Sequence, residues 1–267
     1  MINSFSLGNI VIHFYSLCIL LGVMFAYLVI TKEAKRKGIS EDLIFNIIFY
    51  GLLIGIIGAR LYYVIFNFNY YRNDLLEIFR IWNGGLAIHG GIIFGFIFVY
   101  LYTKKKNLEF IKLTDIIVPG VILAQSIGRW GNFFNQEAYG SLVSKELLEK
   151  LLIPKFIING MYINNNYYLP TFYIESILCL MGFIIMMIIR KKNLKKGTIT
   201  AFYLIWYGII RSIIEIFRTD SLMLGNFKVA RIVSVIMIII GIIIELIESR
   251  KPKLDDLYNN LNEDIRF

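Results

Sequence analysis

The sequence predicts an all-α membrane protein with about seven transmembrane helices, its amino terminus outside and its carboxyl terminus inside, and a small extracytoplasmic cap between the fourth and fifth helices. Three observations carry that prediction. The 267 residues are 57% hydrophobic and 15% aromatic but only 18% charged, and the mean hydropathy is +0.65, a composition foreign to ordinary soluble domains. Apolar runs long enough to cross a bilayer core recur along the chain. Basic residues crowd into alternate connections between those runs.

The runs fall at 10–31, 43–66, 86–103, 113–130, 171–190, 198–218 and 229–248. The opening MINSFSLGNIVIH has no basic stretch ahead of its apolar residues, so the first run is expected to be a retained helix and not a cleaved signal. Leu17 precedes Cys18, where a lipoprotein cleavage site would carry glycine or alanine, so the chain does not read as a lipoprotein itself. A single integral membrane domain over 1–267 is expected, with an extracytoplasmic insertion at about 131–170 and a cytoplasmic tail at about 249–267.

A net charge of +9 would suggest nucleic acid in a soluble protein. Here its distribution is a topology signal, and no nucleic-acid partner is expected. Lys32, Lys35, Arg36 and Lys37 follow the first run, Lys104, Lys105, Lys106 and Lys112 the third, and Arg190, Lys191, Lys192, Lys195 and Lys196 the fifth, while Arg250, Lys251 and Lys253 begin the tail. The other connections are poorer, with Arg72 and Arg80, then Lys145, Lys150 and Lys155, then Lys228. Cysteine occurs only at 18 and 179 and histidine only at 13 and 89, without metal-ligand spacing, so neither a disulfide nor a metal site is expected, and no cofactor.

The second run places Arg60 in its outer part after Gly51, Gly55 and Gly58, whose small-residue spacing suits close helix packing. His89 lies in the first turns of the third run between Gly84–Gly85 and Gly90–Gly91. Those glycines either thin the helix near a ligand or permit tight packing, and both readings stand. The fourth run ends outward at Arg129 and Asn132. In the insertion that follows, Asn159-Gly160 between β-favouring residues predicts a short hairpin. The sixth run carries Tyr207, Arg211, Glu215 and Arg218 on one face of its outer half.

Arg60, Arg129, Arg211, Arg218 and Arg231 lie within or beside the runs. A charge at mid-bilayer costs about 2.5–3.5 kcal/mol, which marks such residues as functional. Glu137 and Glu215 are the acidic partners within plausible reach, and the remaining cationic excess favours an anion. Arginine's planar fork fits two phosphate oxygens, and a phospholipid headgroup is the phosphate available at that depth. The stretch GRWGNFFNQEAYG, residues 128–140, concentrates this polarity where a helix meets the interface. Arg129 would hold phosphate, Asn132 and Asn135 would orient ester or glycerol oxygens, Glu137 would position an arginine, and Gly128, Gly131 and Gly140 would permit an irregular backbone. An Arg211–Glu215 pair that only locks helices, and a His89 that only packs, are the bland alternatives.

GRWGNFFNQEAYG resembles the signature of the bacterial prolipoprotein diacylglyceryl transferases, Gly-Arg-x-Gly-Asn-Phe-x-Asn-x-Glu-x-aromatic-Gly. IGARLYYVIF, WNGGLAIHGG and YGIIRSIIEIFRTD resemble further blocks of that family in the same order, so the likeness covers nearly the whole chain. It implies a seven-helix membrane enzyme that transfers the diacylglyceryl group of phosphatidylglycerol to the lipobox cysteine of a prolipoprotein, forming a thioether and releasing glycerol phosphate. Its partners would be phosphatidylglycerol, the lipobox-bearing signal peptide and the lipid bilayer of the bacterial plasma membrane, with the site near the outer face. By motif position the resemblance marks Tyr15, His89, Arg129, Asn132, Glu137, Gly140, Arg211 and Glu215, with Arg60 and Arg218 as additions. Ser16, Leu169, Ile174 and Arg231 depart from the family pattern.

A free thiol needs a base or a positive field to become a thiolate at neutral pH, and His89 is the candidate base. Arg129 and Arg211 would stabilise the charge that grows on the departing phosphate, with Tyr15 alongside as a catalytic candidate. A transporter would spread its charges through the membrane thickness and repeat internally, whereas this cationic cluster is one-sided. A seven-helix photoreceptor needs a lysine within a late span, and none lies inside VARIVSVIMIIIGIIIEL. A serine hydrolase of the G-x-S-x-G kind lacks its motif here.

Overall fold

The computed structural model describes residues 3–8, 10–192, 194–250 and 258. Most of the expected cytoplasmic tail, including Lys251 and Lys253, lies outside them. A short antiparallel hairpin, β1 (Ser4–Leu7) with β2 (Ile10–His13), leads into α1 (Phe14–Arg36). There follow α2 (Glu41–Phe66), α3 (Phe68–Tyr71), two 3-10 turns over Leu75–Phe79 and Ile81–Asn83, α4 (Ile88–Lys105) and α5 (Phe110–Asn135). The insertion holds α6 (Lys145–Lys150), α7 (Lys155–Gly160), β3 (Tyr162–Ile163) and β4 (Asn166–Tyr167). The chain continues through α8 (Thr171–Ile189), α9 (Thr198–Phe217), a hairpin of β5 (Met223–Leu224) and β6 (Phe227–Lys228), and α10 (Val229–Ser249).

All seven apolar runs are helical, and among the described residues six helices, α1, α2, α5, α8, α9 and α10, are long and apolar enough to cross a membrane. The expected third span becomes α4, whose 18 residues include His89 and end in two lysines. Large apolar side chains such as Leu20, Ile65, Ile188 and Ile239 are exposed along these helices, the surface a lipid solvent requires. The first span begins later than expected, at Phe14, because residues 10–13 pair with β1.

The described residues form two compact units. One is built on the chain up to Ile30 and from Thr114 onward, the other on Thr31–Leu113. In the second unit α2 and α4 pack through glycine. A side chain at Gly90 would overlap the Gly58 carbonyl, one at Gly55 would press the Gly91 carbonyl at 3.4 Å, and the Ala87 amide donates to the Ala59 carbonyl at 3.0 Å. Ser40 starts α2 by accepting from the Leu43 amide, with Glu41 and Asp42 in the first turn complementing the helix dipole.

In the first unit the same device joins α9 to α10, since a Cβ at Gly208 would meet the Ser234 carbonyl at 2.9 Å and one at Gly241 the Ala201 carbonyl at 2.9 Å. On α8, Gly182 leaves room for the Trp206 indole, which donates to the Leu178 carbonyl at 3.0 Å. The buried Asp115 of α5 fastens the start of α9, whose own N-cap is the side-chain-free Gly197. Its carboxylate accepts from the Gly197 amide at 2.6 Å, the Thr200 amide at 2.8 Å and the Thr200 hydroxyl at 2.5 Å, so one side chain from a neighbouring helix satisfies donors that a helix start leaves open.

The insertion folds around its own core of Phe133, Leu148, Ile153, Ile157, Ile158, Met161, Leu169 and Phe172. Burying side chains of this size stabilises by about 1.5–3 kcal/mol each. The hairpin expected at Asn159-Gly160 forms further along, at Asn164 and Asn165, both in the left-handed region with φ of 49° and 62°. Burial of Ile157 and Ile158 draws Asn159 and Gly160 into the end of α7 instead, while asparagine tolerates the left-handed turn that joins β3 to β4.

Asp115→Ala removes all three acceptor contacts at the start of α9. Thermal unfolding in detergent is expected to show a loss of about 1–3 kcal/mol, the cost of leaving buried donors unpaired; a melt unchanged from the parent would contradict this anchoring role.

Candidate active site

The last two turns of α5, the second turn of α8 and the C-terminal half of α9 bring four charged side chains together inside the first unit. Arg129 Nη2 lies 2.7 Å from Glu175 Oε1, and Arg211 Nη1 lies 3.6 Å from Glu175 Oε2. Arg211 Nη2 reaches Glu215 Oε2 at 2.6 Å, one helical turn along α9. Both carboxylates are almost wholly buried, with side-chain exposures of 2% for Glu175 and 1% for Glu215. The Tyr207 hydroxyl sits between the elements: it accepts from Arg129 Nη2 at 3.3 Å and donates to Glu175 Oε1 at 3.4 Å.

Helical spacing explains why α9 can do this. Tyr207, Arg211 and Glu215 recur at every fourth residue and so project from one face. The fit of α5 to α8 is fixed just below by Ser126, whose hydroxyl donates to the Ser176 carbonyl, and by Ser176, whose hydroxyl returns a bond to the Ser126 carbonyl, both at 2.8 Å. The Trp130 indole adds a bond to the Ser176 hydroxyl at 3.1 Å. Glu175, next to Ser176, is thereby held opposite Arg129.

The cluster is not cationic. Arg129 and Arg211 face Glu175 and Glu215, two charges against two, so the excess expected from the sequence is cancelled by an acid that was not among the expected partners. One donor remains open: Arg211 Nη1 is buried without a hydrogen-bond partner among the described residues, since Glu175 Oε2, at 3.6 Å, stands beyond hydrogen-bond range. A buried guanidinium N–H left in this state is costly unless something else fills its acceptor position.

The motif 128–140 makes a different shape from the one expected. Gly128 and Gly131 lie inside α5, which runs on to Asn135. The helix ends in a Schellman motif, with Glu137 N–H donating to the Asn132 carbonyl at 3.1 Å and Gln136 N–H to the Phe133 carbonyl at 3.2 Å. Gln136 and Ala138, not glycines, take the left-handed backbone, with φ of 50° and 57°. Bonds from the Gln136 amide to the Gly160 carbonyl at 3.0 Å and from the Thr171 hydroxyl to the Ala138 carbonyl at 2.6 Å hold them there, as unfavourable backbone states require.

Gly131 gives space to the Tyr15 ring, which a Cβ would meet at 2.7 Å, so Tyr15 is seated against α5 at the residue next to Trp130. Gly140 lets its strand approach Leu169, whose carbonyl accepts its amide at 2.9 Å, and it bridges to Arg218 on its other side. Asn132 donates to Glu137 at 3.0 Å, so Glu137 orients an asparagine; among the described residues it makes no ion pair with an arginine. Asn135 is exposed at the end of α5. Arg218 is clasped by Asp220 through two bonds of 3.0 Å. Partial burial works against the charge of Asp220, but the hydrogen bonds and charge of Arg218 outweigh it and hold that carboxyl below the usual range. Lys228 closes the end of α9 by donating to the Glu215 carbonyl at 2.6 Å and the Arg218 carbonyl at 3.0 Å.

Arg60 and His89 belong to the second unit. Arg60 is buried, and its guanidinium donates to the carbonyls of Ile78 at 2.8 Å, Gly84 at 2.6 Å, Gly85 at 3.0 Å and Glu77 at 2.5 Å, with its central carbon over the Tyr71 ring. The planar fork expected to meet substrate is occupied by main chain in this structure and ties down the loop ahead of α4. His89 is half-buried in the first turn of α4, with its ring 6.3 Å from that of Tyr62.

The model of the family described as prolipoprotein diacylglyceryl transferase matches residues 3–247. Relatives from Streptococcus pneumoniae, in the serotype 4 strain TIGR4 and in strain JJA, are each 48% identical over 247 residues, covering 92% of this chain and 93% of theirs. Both bear the name phosphatidylglycerol–prolipoprotein diacylglyceryl transferase. The chain belongs to the prolipoprotein diacylglyceryl transferase family. It is a transferase of lipoprotein biosynthesis with membrane-spanning helices.

Two departures from the family pattern have simple places in this transferase. Leu169 is buried in the core of the insertion and meets Gly140 and Ser141 through its backbone, so its side chain contributes packing. Arg231 is exposed in the first turn of α10. Glu175 is the functional candidate that sequence reasoning missed, although an acid inside an otherwise apolar span is itself the signal that should have found it.

Arg60→Lys leaves one point charge where a fork bound several carbonyls. Each charge-assisted bond is worth about 1.5–3 kcal/mol, so native-state trypsin cleavage after Arg80 is expected to accelerate at least about tenfold. An unchanged cleavage rate would show that the loop does not depend on Arg60.

Proposed function

We propose that this transferase moves the diacylglyceryl group of phosphatidylglycerol to the thiol of a prolipoprotein's lipobox cysteine, at the Arg129–Glu175–Arg211–Glu215 cluster, and releases glycerol phosphate. The observation that carries the reading is the pair of partly buried arginines converging on a single carboxylate, with one guanidinium donor still open. Two planar forks so placed suit the non-bridging oxygens of a phosphodiester. The printed names of the relatives supply the two substrates.

In this scheme the thiol proton passes to a base, the sulfur attacks the glyceryl carbon, a C–S bond forms, and the C–O bond to phosphate breaks with its electron pair going to the phosphate oxygen. The departing phosphate gains a full negative charge, which Arg129 and Arg211 stabilise more strongly than the starting diester. Tyr207 and Glu215 keep the arginines aimed. Asn132, oriented by Glu137, and Asn135 are assigned to the glycerol and ester oxygens of the lipid, and Tyr15 packs against Gly131 of the same helix end. His89 is the proposed base, the one imidazole in a family block. Arg218 and Gly140, joined by their bridge, are assigned a supporting role beside the cluster.

The basic connections are read as cytoplasmic, which puts the end of α5 and the insertion on the outer side of the bacterial plasma membrane. A phospholipid headgroup and a signal peptide emerging from the bilayer would meet there.

The test is transfer in detergent from phosphatidylglycerol to a lipobox peptide. Diacylglyceryl-peptide is expected from the unmutated protein and not with a Cys→Ser peptide. Arg129→Ala is expected to lose about 10²–10³ in kcat, the cost of one preorganised donor, and His89→Gln to lose turnover with a flattened pH profile. No product from the folded, unmutated protein would refute the reading, and near-normal turnover by His89→Gln with an unchanged pH profile would remove the base assignment.

A further inference from the structure

A site for an anion should offer uncompensated positive charge, and this one does not. Its two arginines already share an anion supplied by the protein. Each oxygen of Glu175 faces a different guanidinium, Oε1 toward Arg129 at 2.7 Å and Oε2 toward Arg211 at 3.6 Å. A phosphodiester would present its two non-bridging oxygens in the same way. With Glu215 also present, the four side chains sum to zero charge, so an arriving phosphate adds an unbalanced negative charge to a buried site unless a carboxylate withdraws.

We propose that Glu175 is the resting occupant of the phosphate position, a built-in competitor that releases the arginines when phosphatidylglycerol binds and reclaims them as glycerol phosphate leaves. This rests on the transfer reading above and assigns Glu175 a role in it as a positioning residue. Three features fit an exchangeable contact better than a fixed strut. The hold on Arg211 is long, while Arg211 has a second carboxylate at 2.6 Å and is not stranded when Glu175 moves. The Tyr207 hydroxyl touches both Arg129 and Glu175 and can keep either one bonded as they separate. Arg211 Nη1, buried and unpartnered, is a donor that the carboxylate does not satisfy and a phosphate oxygen would.

The consequence concerns release. Two partly buried arginines bind a phosphate monoester tightly, and an enzyme that retained its leaving group would turn over slowly. A carboxylate competing for the same donors weakens binding of substrate and of product anion alike, and a ligand shifts such an equilibrium only by its differential affinity.

The experiment measures KM and kcat for phosphatidylglycerol, and binding of glycerol phosphate by calorimetry, in the unmutated protein, Glu175→Gln and Glu175→Asp. Removing the charge in Glu175→Gln is expected to tighten glycerol phosphate binding by about tenfold or more, with KM falling and kcat falling as release slows. Glu175→Asp withdraws the carboxylate by one methylene and is expected to shift binding in the same direction by less. A Glu175 that merely braces the arginines gives the opposite result, weaker glycerol phosphate binding and a raised KM, and that result overturns the proposal. If Glu175→Gln does not fold, Glu175→Asp decides alone: tighter binding supports the proposal and unchanged or weaker binding overturns it. Failure of the transfer reading shows separately, as absence of diacylglyceryl-peptide from the unmutated protein, whereas the binding comparison reads Glu175 without turnover.

Discussion

One buried carboxylate organises the site. Glu175 lies between Arg129 of α5 and Arg211 of α9, so it adds ionic contacts to the hydrogen bonds that already join these three helices. The energetic logic is severe: any of these charges left alone in a low-dielectric interior would cost several kcal/mol. The arrangement is tolerable only when all four charged groups are present, or when a ligand replaces one of them. A structural requirement and a binding preference are therefore the same requirement.

Much of the remaining structure in the first unit serves that arrangement. Asp115 secures the start of α9 and the paired serines 126 and 176 set α8 against α5. Beyond the cluster, the Schellman end of α5 and the core of the insertion close the chain over Asn132 and Glu137. Lys228 and the Arg218–Asp220 clasp terminate α9 just past Glu215. In the second unit Arg60 plays an analogous part for a loop, with carbonyls as its acceptors in place of carboxylates.

The helices were legible because their information is local. Apolar runs bounded by basic turns set seven segments, and the helices observed match them within a few residues apart from the longer hairpin-delayed start of α1 and the extension of α1 and α5 into their flanks. The 128–140 motif, Arg211 and Glu215 were equally visible, since polar residues stand out in apolar surroundings. What could not be read was pairing at a distance. The Arg129–Glu175 contact joins α5 to α8 across the whole insertion, and no periodicity announces it. The turn at Asn164 and Asn165 displaced the Asn159-Gly160 signal because the burial of Ile157 and Ile158 outweighs a two-residue preference. Glycines drew attention as sites of irregular backbone, yet Gly128 and Gly131 are helical and the left-handed positions went to Gln136 and Ala138, where surrounding bonds enforce them.

The central claim is that the paired arginines receive the lipid phosphate. The most direct measurement is the distance from the phosphorus of bound phosphatidylglycerol to guanidinium nitrogens, by solid-state NMR dipolar dephasing in lipid with nitrogen-labelled arginine. The account predicts strong dephasing from two arginine side chains in direct contact, one lost in Arg129→Lys and the other in Arg211→Lys. Dephasing that survives both substitutions, or that is absent from the unmutated protein with lipid bound, would place the phosphate elsewhere and contradict it.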